Sequence, residues 1–137
     1  MLDFDHRQFD CSDYNEQVIC ILDQVDWDLS FVGNIKIHHS WLNVLNYDGL
    51  TNGFEWHNES DLNDNDISYK GSHVCILWLT GDVDHGGNLL VNDDNGITEY
   101  KFQPGHGLII ERDNLHKVLH YSGKTTRRSL NFMFDWI

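Results

Sequence analysis

The chain has 137 residues, and 9 Lys and Arg against 22 Asp and Glu leave a formal net charge of −13. That length suits one domain, and the acidic excess excludes nucleic-acid binding through a basic, phosphate-neutralising surface. Hydrophobic residues make up 40% of the chain, with five Trp, five Tyr and seven Phe, which excludes a disordered chain even at this charge.

The N-terminal stretch MLDFDHRQFD is acidic where a secretory signal is basic and then apolar. Cys11, Cys20 and Cys75 form no CxxC pair, so neither a disulfide framework nor a zinc ribbon is legible, and a reducing, cytoplasmic setting is expected. Val74–Leu79 is the longest apolar run, far short of the roughly 20 residues of a membrane span, so no membrane partner is expected.

Residues 13–25 place Val18, Ile19, Ile21, Leu22 and Val25 on one helical face, with Ser12 as the N-cap. Past residue 30 the chain reads as strands: Asn34–His39, Trp41–Tyr47, Gly53–Glu59, His73–Thr80, Gly87–Asn92, Gly96–Phe102, Gly107–Glu111, Lys117–Tyr121 and Arg127–Trp136. Asn95-Gly96 marks a hairpin, and the single proline, Pro104, falls in a turn outside every strand. Neither a repeat nor a linker interrupts the chain. The expectation is one domain over 1–137: a helical part over about 1–30, then a β core. That core is a double-sheet jelly roll with one or two short N-terminal helices packed on its larger sheet. The acidic run Asp61–Asp66 lacks the Gly at position 6 and the Glu at position 12 of a calcium loop, and reads as a solvated loop.

His57-Asn58-Glu59 carries the first chemistry. In an extended chain residues i and i+2 share a side, so His57 and Glu59 can reach one ion, and imidazole with carboxylate suits Fe(II), Mn(II) or Zn(II). His116 offers a third ligand at a later strand, with His120 as its rival on the same strand face. Two His and one carboxylate leave three positions of an octahedral metal open, the facial triad of oxygen-activating iron. His38, His39, His73, His85 and His106 read as surface or turn residues.

From Tyr47 onward the motifs, in order, resemble those of the iron(II)- and 2-oxoglutarate-dependent dioxygenases, in particular the prolyl-4-hydroxylase-like branch. They are the Tyr47–Glu59 segment (YDGLTNGFEWHNE), the strand CILWLT at Cys75–Thr80, Gly86-Gly87-Asn88-Leu89, FQPGHGLII at Phe102–Ile110, His116-Lys117-Val118, and Arg127-Arg128-Ser129-Leu130. The resemblance implies a double-stranded β-helix (a cupin-like barrel) with Fe(II) held by His57, Glu59 and His116. It implies 2-oxoglutarate on the metal, with its far carboxylate on Arg127 and with Tyr47, Phe54 and Trp78 nearby. It also implies O2 as oxidant and hydroxylation of a prolyl or other peptidyl group, or of a small molecule. Arginine's planar fork matches a carboxylate bidentately.

Two positions depart from the branch. Glu59 stands where Asp is usual and keeps the oxygen ligand, whereas a halogenase would lack it. Trp78 stands where the branch has Tyr and offers only an indole N–H. Two other readings stay open: a cupin-type metal enzyme, although no H-x-H occurs in the chain, and a non-catalytic jelly-roll binding module.

Strand alternation lets only one of the two adjacent arginines face the interior. A polar pocket takes Arg127, Ser129, Asn131 and Met133. The apolar set, with Leu130, Phe132 and Phe134, then turns outward with Arg128, beneath a helix such as 13–25.

Overall fold

A computed structural model of the chain describes residues 4–17, 35–47, 56–59 and 71–137. Among the described residues eight strands follow one another: β1 (Phe4–Asp10), β2 (Ile35–Tyr47), β3 (His73–Thr80), β4 (Leu89–Asp93), β5 (Gly96–Tyr100), β6 (Gly107–Glu111), β7 (Leu115–Val118) and β8 (Arg127–Trp136). They form a five-stranded sheet in the order β1-β2-β8-β3-β6 and a three-stranded sheet in the order β5-β4-β7, with every pairing antiparallel. The expected mainly-β jelly roll is present.

β8 lies at the centre of the larger sheet, and its alternation organises the whole. Directly opposed residues of antiparallel strands project to one face. Met133 therefore shares a face with Val74 of β3, and Asn131 with Ile76 of β3 and Trp41 of β2. These apolar neighbours cluster with Leu89 and Val91 of the smaller sheet and with Phe102, so this face is the space between the sheets. The opposite face gathers Leu130, Phe132 and Phe134 with Ile35, Ile37, Cys75 and Leu77, all from the larger sheet. A β-bulge between Ile37 and His39 switches β2 from one alternation to the other, so Ile37 faces outward and His39 and Trp41 inward. The β4–β5 hairpin closes with Asp93 opposite Gly96, and Asp93 Oδ1 accepts from the Asn95 N–H at 2.8 Å.

Several expectations need correction. The N-terminal part is not wholly helical: Phe4–Asp10 is an edge strand paired along its length with Trp41–Tyr47. Its sequence lacks apolar alternation, and the β2 edge supplies the hydrogen-bonding order that local propensity does not. Of the helix expected over 13–25 only the start is described, a 3-10 turn at Ser12–Tyr14 running on to residue 17. Its apolar face lies outside the described residues. Ser12 is no cap, because its hydroxyl meets His39 Nδ1 at 2.6 Å and accepts the Ser40 N–H instead. The two strands expected over 34–47 are one strand of 13 residues. β7 starts at Leu115 rather than Lys117, and the strand expected over Gly53–Glu59 is described only from Trp56, as a single bridge at His57. Asp61–Asp66 and Phe54 lie outside the described residues.

Candidate metal centre

His57 and Glu59 lie along the β7 edge of the smaller sheet. His57 N–H donates to the His116 carbonyl at 3.1 Å and His116 N–H returns a bond at 2.8 Å, so the segment adds one bridge beside β7. Glu59 N–H donates to the Arg112 carbonyl at 3.1 Å, and the Asn58 amide reaches the Asp113 carbonyl. This backbone lattice brings three side chains that are distant in sequence to one point. Glu59 Oε1 lies 3.4 Å from His116 Nε2 and 3.9 Å from His57 Nε2, and all three ligand atoms fall within 4.8 Å of one another. Donors about 2.1 Å from a shared ion lie roughly 3–4 Å apart, so these spacings suit one metal.

The protonation pattern suits it as well. His116 Nδ1 sits 3.0 Å from the Asn114 carbonyl, which can only accept, so Nδ1 donates there and, in the neutral imidazole, Nε2 is the nitrogen left for a metal. Glu59 and His116 are buried, whereas the His57 side chain is 47% exposed and opens the centre on one side. Among the described residues the ion-pair partners of this buried carboxylate are the two imidazoles. A buried carboxylate without a cation is costly, and a divalent ion would neutralise it. One carboxylate oxygen and two imidazole nitrogens match Fe(II), Mn(II) or Zn(II).

Arg127 opens β8 and is 3% exposed. Its Nη2 donates to the Gly87 carbonyl at 3.1 Å, and its guanidinium stacks on the Phe102 ring at 4.7 Å. No carboxylate pairs with it among the described residues, and its Nε–H has no acceptor. Burial pulls its pKa down to about 10. Among the described residues two more buried polar atoms lack partners: Trp78 Nε1 and Asn131 Oδ1. All three residues project from the inner face of the larger sheet, and the Trp78 ring meets Phe102 edge-on at 5.7 Å.

The expected ligand set thus comes together, and so do Arg127 and Trp78 around Phe102. Tyr47 ends β2 with its backbone opposite Phe4, and its side chain lies outside the described residues. His120 is exposed beyond the end of β7 and stands apart from the triad. His39, expected at the surface, is buried and stacked on Trp41 at 5.1 Å, because the bulge turns it inward. Sequence reasoning missed Phe102, Tyr121 and Gly87 as the walls around Arg127. The double glycine was their one signal, since a Cβ on Gly87 would sit 3.0 Å from Arg127 Nε.

No protein-family model matches the sequence, and no curated protein matches it. Among solved structures the fold is similar to an oxidoreductase of the 2OG-Fe(II) oxygenase family from Burkholderia pseudomallei. The TM-score is 0.65 at 14% identity, over 96% of this chain and 68% of that one. It is also similar to a prolyl-4-hydroxylase from Pseudomonas putida (TM-score 0.58, 16% identity, 96% of this chain and 70% of that one). A third likeness is to EctD from S. alaskensis with bound Fe (TM-score 0.63, 15% identity, 93% of this chain and 56% of that one). At such identities the likeness establishes the fold. Among the described residues no helix is long and apolar enough to cross a membrane.

Proposed function

We propose that the protein is an Fe(II)- and 2-oxoglutarate-dependent oxygenase that hydroxylates a peptidyl or small-molecule substrate. The observation that carries this reading is the Arg127 guanidinium. Among the described residues it is buried without an acid and with an unpartnered Nε–H, in the same barrel that holds His57, Glu59 and His116. A lone buried cation is unfavourable, and a dicarboxylate with one end on a metal and the other on Arg127 relieves it.

His57, Glu59 and His116 would hold the iron. With 2-oxoglutarate and O2 the iron would supply the oxidation, in which the 2-oxo acid loses CO2 to become succinate and one oxygen atom enters a C–H bond. The chain's own residues bind and orient. Arg127 takes the far carboxylate in charge-assisted hydrogen bonds, and the Trp78 indole N–H serves as a second donor to that anion. The apolar walls from Val91, Ile110 and Met133 keep water out of the barrel, which strengthens each polar contact inside.

The test is anaerobic loading with Fe(II), then exposure to O2 with 2-oxoglutarate and mass-spectrometric detection of succinate. Slow conversion without any prime substrate is expected, and a screen of peptides and amino acids for a mass gain of one oxygen atom then identifies that substrate. Stoichiometric metal without detectable 2-oxoglutarate binding favours the cupin reading. Purification without stoichiometric metal favours the binding module.

A further inference from the structure

Two loops frame Arg127, and hydrogen bonds tie them to each other. One is the turn from Gly81 to Gly87 after β3, and the other is the segment from Tyr121 to Thr126 that leads into β8. Asp82 Oδ2 accepts the backbone N–H groups of Lys124 at 2.7 Å and Thr125 at 3.0 Å. The Asp82 N–H in turn donates to the Tyr121 hydroxyl at 2.8 Å, and that hydroxyl donates to the Thr125 carbonyl. Ser122 N–H reaches the His85 carbonyl, Gly87 N–H the His120 carbonyl, and the Thr80 hydroxyl the Thr126 carbonyl, so the loops are joined along their length.

Tyr121 carries the closure inward. It is 1% exposed, its ring packs on Phe102 at 6.1 Å, and a Cβ on Gly87 would meet it at 3.2 Å. Phe102 and Gly87 both hold the guanidinium, one by its ring face and one by its carbonyl. Gly123 lies so close to the Tyr121 hydroxyl that a Cβ there would collide with it.

We propose that Asp82 and Tyr121 form a clasp that fixes the position of the Arg127 guanidinium, making both positioning residues for the anionic co-substrate. The inference rests on the proposed binding of 2-oxoglutarate at Arg127. It goes beyond that reading by placing control of co-substrate affinity in a carboxylate at the protein surface. What the clasp requires of position 82 is two lone pairs on one oxygen aimed at two N–H groups. An amide oxygen meets that need, and a methyl group does not.

The experiment titrates the wild-type chain, Asp82→Ala, Asp82→Asn and Tyr121→Phe with 2-oxoglutarate by calorimetry, each loaded with Mn(II), and measures Mn(II) affinity separately. Asp82→Ala and Tyr121→Phe are expected to weaken 2-oxoglutarate binding five-fold or more, with Mn(II) affinity within two-fold of wild type. Asp82→Asn is expected to stay within two-fold of wild type for both ligands. If Asp82→Ala does not fold, Tyr121→Phe and Asp82→Asn decide. Unchanged 2-oxoglutarate affinity in Tyr121→Phe overturns the clasp, as does a parallel loss of Mn(II) affinity, which marks a general structural role. A wild type that binds Mn(II) but no 2-oxoglutarate overturns the underlying functional reading and the clasp with it, an outcome separable from unchanged variants of a binding wild type.

Discussion

Arg127 and Arg128 are adjacent in sequence and project from opposite faces of β8. Arg127 is buried on the inner face with its Nη2 on the Gly87 carbonyl. Arg128 is exposed, with its Nη1 3.3 Å from the Thr80 hydroxyl. Removing a charge-assisted contact to a buried carboxylate costs about 2–5 kcal/mol. Arg127→Ala is therefore expected to weaken 2-oxoglutarate binding by at least about tenfold, and Arg128→Ala to change it by no more than about threefold. Calorimetric titration of the Mn(II)-loaded proteins measures both. Reversed effects would mean that the co-substrate binds on the other side of the sheet.

The candidate metal centre makes a second comparison available among histidines. His57 and His116 converge on Glu59, while His120 is exposed. Replacing either ligand by Ala removes one of three protein donors and is expected to lower Fe(II) affinity by about 100-fold or more, since loss of even an outer partner of a ligand costs roughly 10–100-fold. His120→Ala is expected to retain stoichiometric iron. Anaerobic equilibrium dialysis with metal analysis separates the three variants, and iron retained in both ligand variants would remove the triad as the binding site.

Much of this arrangement is legible from residue order, for identifiable reasons. β3, β6 and β8 have the bounds that their apolar composition and flanking turns predict, and the inward set of β8 follows once a polar interior is assumed. His57 and Glu59 need only two-residue spacing to share a side. What local pattern could not supply was long-range pairing. β1 is a strand because β2 offers it an edge, and β2 is continuous through Ser40 because the bulge beside His38 absorbs the change of face. The same bulge buries His39, a reversal that no alternation rule predicts. The surroundings of Arg127 were hidden for a similar reason: Phe102, Tyr121 and Gly87 meet only when the loops around Gly81–Gly87 and Tyr121–Thr126 are paired.

Asp135 links stability to pH. Its carboxylate meets His38 Nε2 at 2.7 Å and accepts the Ser72 N–H at 2.8 Å, joining β8 to β2 and to the start of β3. The hydrogen bond from His38 and the bonds from Ser72 outweigh partial desolvation and hold the Asp135 carboxyl below its usual range. The unfolded chain therefore binds this proton more readily than the folded one does. The contribution is full above the unfolded value of about 3.9 and disappears as pH falls through the folded value. With the Asp135 side chain 46% exposed it is worth under about 1 kcal/mol. Urea midpoints of wild type and Asp135→Asn are expected to differ slightly at pH 6 and to converge as the pH falls into the acid range below the usual carboxylate value. A gap that persists or widens in acid would assign the effect to packing rather than ionisation.

Trp78 sets stability against binding at a single atom. Its indole is 3% exposed, yet Nε1 has no acceptor among the described residues, and a buried donor left without a partner costs about 1–3 kcal/mol. Trp78→Phe removes that unpaired donor and leaves a small void beside Phe102, whose cavity cost opposes the gain. The two effects nearly cancel, so the melting temperature of the ligand-free protein is expected to stay within about 4 °C of wild type, the equivalent of roughly 1 kcal/mol. Binding has no such compensation. If the indole N–H donates to the carboxylate held by Arg127, its loss removes a hydrogen bond to a charged group worth about 1.5–3 kcal/mol. The expected result is at least a tenfold weaker affinity for 2-oxoglutarate, with metal affinity unchanged. Trp78→Tyr returns a donor on a smaller ring and should recover part of the loss. Thermal melts paired with calorimetric titrations measure both sides, and a Trp78→Phe protein that binds 2-oxoglutarate as tightly as wild type would leave the unpaired indole nitrogen without a role in co-substrate binding.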